Sequence, residues 1–301
     1  MPSDANAAVH QSNRDLLAAW TADPNLTVED FRRIFEEFLA DLKIDEDATF
    51  KDVSAGGVPS ILVDTPGTDK KLVTLHFHSG GYVLGSARGY RSYGAALSKA
   101  TGGRVLLVDY RLAPEHPYPA AIDDALTAYR WALGHHPANK IVISGDSAGG
   151  GLCLALLQHI RDEGLELPAA AVSMSPWADF KLAGDSMKAN ADKDPLVPGP
   201  DLLAMMVTMV IGEDGDPAHP GVSPLYGDWQ GLPPLLVMAG SIETLRDDGV
   251  RCVAAAKAAG VDARFIEGEE MVHIWPIFHD RLPEARETLG EIGAFVKLHA
   301  A

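Results

Sequence analysis

The stretch that most constrains this chain is Ile141-Val142-Ile143-Ser144-Gly145-Asp146-Ser147-Ala148-Gly149-Gly150-Gly151. A β-branched apolar run enters it, and Leu152-Cys153-Leu154-Ala155-Leu156-Leu157 leaves it with helical character. Small residues fill the join, so a strand must turn almost directly into a helix. Glycine suits positions 145 and 149 because strand and helix nearly touch there, and a Cβ would clash. The pattern G-x-S-x-G then sets Ser147 at the tip of a sharp elbow, its hydroxyl lifted clear of the sheet toward a cleft. The backbone N–H of Ala148 falls at the helix N-terminus, where negative charge developing on an oxygen is favoured. Glycine- and serine-rich turns between strand and helix also form phosphate-binding loops. No Gly-Lys-Ser/Thr follows this one, and the chain has no G-x-G-x-x-G.

Around that elbow the pattern alternates. Strands are predicted at 72–78, 104–110, 169–175, 234–240 and 262–268, besides the one entering the elbow. Helices are predicted over Ala120–Leu133, after Ser147, and near 246–259 and 283–298. Near-continuous apolar strands separated by helices imply a mostly parallel sheet covered on both faces, an α/β fold. Residues 48–67 alternate weakly about Gly56-Gly57 and predict a β-hairpin. Residues 1–26 read as polar and weakly patterned. From Thr27, Phe31, Ile34, Phe35, Phe38, Leu39 and Leu42 share one helical face, with Glu29 and Asp30 in the first turn. Such a stripe can dock on a core or cover an apolar cleft. Residues 177–232 break the alternation with a long excursion around Asp201–Gly212, in which Met205, Met206 and Met209 can line a pocket or simply pack.

The net charge of −17 argues against nucleic acid and anionic membrane surfaces as partners. Cys153 and Cys252 sit in apolar helical patterns without metal-like spacing, so buried free thiols are expected. The first fifteen residues have neither a basic nor an apolar leader region, and no run approaches a membrane span. A cytoplasmic location is the expectation.

An activated serine needs a base, and the chain has eleven histidines. In this arrangement the base follows the last strand, and chain order runs serine, acid, histidine. His273, just past the strand ending at Gly268, meets that requirement better than His279, His299, His135 or His136. The acid follows the preceding strand, in Gly240-Ser241-Ile242-Glu243-Thr244-Leu245-Arg246-Asp247-Asp248. Glu243 is the first choice and Asp247 the runner-up, since Asp247 and Asp248 suit a helix N-terminus. Strand 72–78 ends in His78-Ser79-Gly80-Gly81-Tyr82, whose glycines can aim backbone N–H groups at an oxyanion beside Ala148.

HSGGY at 78–82, DYRLAPEHPYPAA at 109–121, GDSAGG at 145–150, SPW at 175–177, GSIETLRDD at 240–248 and MVHIW at 271–275 occur in that order. Together they resemble the hormone-sensitive-lipase family of bacterial carboxylesterases, a branch of the α/β-hydrolases, over about residues 70–280. The resemblance implies Ser147 as nucleophile, His273 as base and Gly80, Gly81 and Ala148 as oxyanion donors. The family's H-G-G-G reads His78-Ser79-Gly80-Gly81 here, and its acid motif aligns with Glu243 in place of aspartate. His78 is expected to brace its loop, with Asp146 as a supporting motif residue and the 109–121 run supporting sheet and loop.

The implied organisation is a catalytic domain at 46–176 and 233–301, under a cap made of N-terminal helices (1–45) and the 177–232 insertion. Phe35, Tyr82, Met205 and Met209 are the expected pocket residues. Acyl transfer from short-chain esters to water follows, with no metal or cofactor. GSIETLRDD also resembles lactone-hydrolase members, so cyclic esters are a second substrate class. The partner expected is a small-molecule ester, and edge-strand pairing in the family suggests a homodimer. The alternatives are a binding protein on the same scaffold, which would not need His273, and an amidase or deacetylase.

Overall fold

Apolar, β-branched runs too short for helices make the strands, and amphipathic stretches between them make the covering layers. In the computed structural model, which describes residues 3–197 and 199–300, the elements follow in chain order. Helices α1 (Asp4–Thr21) and α2 (Val28–Ala40) precede strands β1 (Thr49–Ala55), β2 (Val58–Asp64) and β3 (Asp69–Phe77). Then come α3 (Arg91–Thr101), β4 (Gly103–Val108), α4 (Ala120–Leu133), β5 (Ile141–Asp146), α5 (Ala148–Asp162) and β6 (Ala170–Met174). The excursion holds α6 (Ser186–Ala189) and α7 (Pro200–Ile211), and β7 (Leu235–Gly240), α8 (Arg246–Ala258), β8 (Ala263–Gly268) and α9 (Pro283–His299) complete the chain.

The eight strands form one sheet in the order β1-β2-β4-β3-β5-β6-β7-β8. The hairpin β1–β2 and the β2–β4 pair are antiparallel, and every pair from β4 to β8 is parallel. Gly56 and Gly57, both at positive φ, make the hairpin turn. Strand β5, which leads into Ser147, lies mid-sheet with all six residues buried. Cys153 and Cys252 are buried free thiols.

Two helices depart from the sequence expectation. Residues 4–21 form α1, whose buried stripe is Asn6, Val9, Asn13, Leu16 and Trp20. The spacing is helical, but two asparagines stand in the stripe and hide its period from a purely apolar count. Asn6 instead donates from Nδ2 to the Glu270 carbonyl at 3.1 Å. Helix α3 buries mostly small or hydroxylated residues, Ser92, Gly94, Ala95, Ser98 and Thr101 among them, which carry little apolar signal.

Thr27 and Asp30 cap α2 reciprocally: the Thr27 oxygen accepts the Asp30 N–H, and the Asp30 carboxylate accepts the Thr27 N–H. The helix buries Phe35 and Leu39. Its Arg32 guanidinium donates to the carbonyls of Val83 and Ala113, both at 2.9 Å, and forks onto Glu115 at 2.7 and 2.8 Å. Helix α2 is thereby bolted to the 109–121 run. That run also reaches the loop after β3: Tyr110 Oη donates to the His78 carbonyl at 2.8 Å, and the Ala113 N–H donates to the Tyr82 carbonyl at 2.9 Å.

Candidate active site

At the junction of β5 and α5, Ser147 has φ +55° and ψ −118°, a conformation that L-residues avoid. The neighbours explain how it is held. The Ser147 N–H donates to the Met174 carbonyl and the Trp177 N–H donates to the Ser147 carbonyl, both at 2.9 Å. A Cβ on Gly149 would lie 2.0 Å from the Phe77 carbonyl oxygen, and one on Gly145 would lie 2.1 Å from that of Gly149. The two elbow glycines are therefore required by close backbone approach, as their spacing suggested.

The loop after β8 brings His273 to Ser147, and the loop after β7 brings Glu243 to His273. His273 Nε2 lies 2.8 Å from Ser147 Oγ, and Nδ1 lies 2.8 Å from Glu243 Oε2. A carboxylate only accepts, so the ring proton belongs on Nδ1, which leaves the Nε2 lone pair facing the serine hydroxyl. The other Glu243 oxygen accepts the Gly240 N–H at 3.1 Å. Burial disfavours the charged imidazolium, but the hydrogen bond and charge of Glu243 outweigh it and hold the His273 pKa above its ordinary value.

Asp247, the runner-up acid, accepts the Ser186 N–H at 2.9 Å and pairs with Arg246 at 3.0 Å, away from the imidazole. Of the other histidines considered, His279 bonds Ser92 Oγ at 3.1 Å, His135 and His136 bond backbone carbonyls, and His299 packs on Phe295.

Gly80 and Gly81 turn at φ +117° and +63°. A Cβ on Gly80 would meet the Leu84 carbonyl at 2.2 Å, and one on Gly81 would meet Met206 Sδ at 2.1 Å. The Gly80 carbonyl is turned back to accept the N–H groups of Val83 and Leu84. His78 is buried; its Nδ1 donates to the Ser79 carbonyl at 2.7 Å and its ring stacks on Tyr110 at 4.3 Å, which ties it to its own loop and the 109–121 run. Asp146 accepts from the Tyr90 hydroxyl at 2.5 Å, and Ser79 Oγ lies 2.5 Å from the same phenol oxygen. Ser79, the departure from four-residue H-G-G-G, thus ties the glycine loop to the elbow through Tyr90. Sequence reasoning missed Tyr90, which lies in a segment without a motif.

A narrow cleft opens over Ser147 and His273. Its walls are largely apolar. Trp20 and Phe35 come from α1 and α2, Leu196 and Val197 from the excursion, and Leu203 and Met206 from α7. Of the expected pocket residues, Phe35 lines this cleft and the other three do not. Tyr82 is buried behind the glycine loop, its ring 5.9–6.3 Å from those of Tyr110, Trp177 and Phe180. Helix α7 turns Leu203, Met206 and Val210 inward, which leaves Met205 40% exposed and Met209 half-buried on its flanks. Among the described residues, no group of three His, Cys, Asp or Glu is placed to hold a metal, and no helix is long and apolar enough to cross a membrane.

A family model described as an alpha/beta hydrolase fold matches residues 74–277. An acetyl-hydrolase from Streptomyces hygroscopicus is 44% identical over 74% of this chain and 74% of its own length. The crystal structure of an esterase from the bacterial hormone-sensitive lipase family superposes with TM-score 0.95 at 40% identity, covering all of both chains. That of EstE5, soaked with p-nitrophenyl butyrate, superposes with TM-score 0.92 at 36% identity over 99% of each. With relatives this similar along so much of its length, the chain belongs to the hormone-sensitive-lipase family of α/β-hydrolases and is a carboxylic ester hydrolase.

Proposed function

We propose that the protein hydrolyses short-chain carboxylic esters through a Ser147–His273–Glu243 triad and an acyl-enzyme. The observation that carries this is the pair of 2.8 Å contacts running from the serine hydroxyl through both imidazole nitrogens to a buried carboxylate. His273 takes the Ser147 proton as Oγ attacks the ester carbonyl carbon. Negative charge passes to the carbonyl oxygen, toward which the N–H groups of Gly80, Gly81 and Ala148 are the donors. Glu243 stabilises the imidazolium without taking its proton. The C–O bond then breaks, the alcohol leaves with the proton from His273, and water repeats the sequence on the acyl-serine.

The bulky side chains of Trp20 and Phe35 at the cleft support short acyl groups. EstE5 was soaked with a butyrate ester, which belongs to the same class. Compact cyclic esters suit the same space. The covering segments, 1–45 and 177–232, act in this reading as a cap that selects substrate. Two buried free thiols support a reducing, cytoplasmic setting, and β8, the outer strand beside β7 among the described residues, supports edge-to-edge homodimers.

The test is hydrolysis of p-nitrophenyl esters from acetate to dodecanoate, with γ- and δ-lactones alongside, by wild type and Ser147→Ala. Short esters should turn over and the variant should be inactive. A folded wild type that releases nitrophenol from no chain length would refute the proposal.

A further inference from the structure

Three side chains of the excursion, spaced four residues apart, reach across to the loop that carries Glu243. Ser186 Oγ donates to the Thr244 carbonyl at 2.7 Å and accepts the Asp247 N–H at 3.0 Å. Asn190 Nδ2 donates to the carbonyls of Ser241 at 3.1 Å and Glu243 at 3.0 Å. Asp194 completes the series: its Oδ2 accepts the Thr244 N–H at 2.9 Å and the Thr244 hydroxyl at 3.3 Å. Its Oδ1 accepts the N–H groups of Leu196 and Val197, both at 3.0 Å. Those two residues wall the ester cleft.

One carboxylate therefore joins the wall of the substrate site to the loop of the triad acid. It is 3% exposed, and its four donors are all neutral N–H or O–H groups. A buried charge is expensive, and capping two loop turns needs only a neutral acceptor. His273, held by Glu243 at 2.8 Å, is the group of this site that becomes a cation during the reaction, and the charge of Asp194 favours that imidazolium.

We propose that Asp194 is a positioning residue for ester hydrolysis, which seats the Glu243 loop against His273 together with the cleft wall and adds its charge to that of Glu243. The proposal rests on the Ser147–His273–Glu243 reading. The acidic groups whose charges act on His273 are Glu243, Asp194 and Asp146. The cations beside this clamp include Lys193, whose Nζ donates to Asn190 Oδ1 at 3.1 Å, and Arg246, which pairs with Asp247 at 3.0 Å.

The experiment is a double-mutant cycle of Asp194→Asn and Glu243→Gln, reading kcat and KM for p-nitrophenyl butyrate, the pH profile and the melting temperature. Asp194→Asn alone should lower kcat about 10- to 100-fold and move the acid limb of kcat/KM to lower pH, through loss of a charge that favours the imidazolium. In the Glu243→Gln background the same substitution should cost less than about threefold, because the group it positions is already disabled. A purely structural Asp194 would lower both backgrounds by the same factor and leave the acid limb in place, which would overturn the proposal. If Asp194→Asn does not fold, Asn190→Ala goes through the same cycle, and equal losses in both backgrounds again overturn it. A Glu243→Gln enzyme as active as wild type would refute the triad and this proposal together. A severe Glu243→Gln loss with strict additivity refutes the proposal alone.

Discussion

Replacing Glu243 by glutamine keeps the shape of the side chain and changes what its two terminal atoms can do. In the native site Oε2 faces His273 Nδ1 at 2.8 Å and Oε1 faces the Gly240 N–H at 3.1 Å, so both positions must accept. A glutamine offers one acceptor and one donor. With its NH₂ toward Gly240 it sets donor against donor at the backbone. With its NH₂ toward His273 it draws the ring proton to Nε2, where it faces Ser147 and cannot accept the serine proton. Either orientation breaks the donor and acceptor pattern around His273. The loss expected for a wrong-tautomer histidine is ~10³–10⁴ in kcat, about 4–5.5 kcal/mol at 1.36 kcal/mol per decade. The assay is steady-state hydrolysis of p-nitrophenyl butyrate across pH 5–9, with Asp247→Asn as the companion variant. Because Glu243 holds the His273 pKa above 6.5, wild-type kcat/KM should fall as pH drops through a midpoint above that value. Residual activity of Glu243→Gln should show its midpoint at lower pH, since the anion that favoured the imidazolium is gone. Asp247→Asn should stay within about fivefold of wild type, as Asp247 touches Ser186 and Arg246 and not the imidazole. A Glu243→Gln enzyme within tenfold of wild type, or an Asp247→Asn enzyme more damaged than it, would refute the reasoning.

Gly149→Ala should yield no soluble active enzyme, or one destabilised by at least about 3 kcal/mol, because its Cβ would sit 2.0 Å from a backbone oxygen that cannot withdraw; urea melts followed by fluorescence check this. Burial pushes the Asp248 carboxyl up to about 8, while its Oδ2 accepts the N–H groups of Ala178 and Asp179. Its folded pKa lies above the unfolded value of 3.8, so its contribution is full below about pH 4 and is lost as pH rises toward 8. Asp248→Asn should therefore match wild-type Tm near pH 4 and exceed it by about 2–4 °C or more near pH 8, read by differential scanning fluorimetry. Phe35→Ala should raise the octanoate-to-acetate ratio of kcat/KM about tenfold by lengthening the apolar cleft, and an unchanged chain-length profile in a folded variant would remove α2 from substrate selection.

The parallel sheet was legible because its strands are continuous apolar runs, and the elbow because glycines stand where backbones touch. The same logic pointed to His273 and Glu243: each follows a strand whose end is forced toward Ser147 by parallel pairing. What escaped was signalled by residues that a hydrophobic count discards. Asn6 and Asn13 hide the stripe of α1. The face of α7 is another such case, because every residue from Leu202 to Ile211 except Thr208 is apolar and the inward side cannot be picked from the string. The same ambiguity put Met205 and Met209 in the pocket instead of Met206. Tyr82 stood beside Gly80 and Gly81 in sequence, but the positive φ at Gly81 and at Tyr82 itself turns its ring away from the cleft. The clamp of Ser186, Asn190 and Asp194 was written as one polar residue every four, with no apolar partner to mark it.

His273 and Ser147 hang from strands with very different neighbours. Ser147 leaves β5, which is paired on both sides, whereas His273 follows β8, the outer strand beside β7 among the described residues. Outer strands open at lower free energy than central ones. On warming, β8 should begin to exchange its amide hydrogens while β5 stays protected, and its loosening carries the imidazole away from an intact serine. Catalysis should therefore fade at temperatures where circular dichroism still reports a fully folded chain. Heat resistance of the activity would then be improved by fastening this one border of the sheet, without any change to the core.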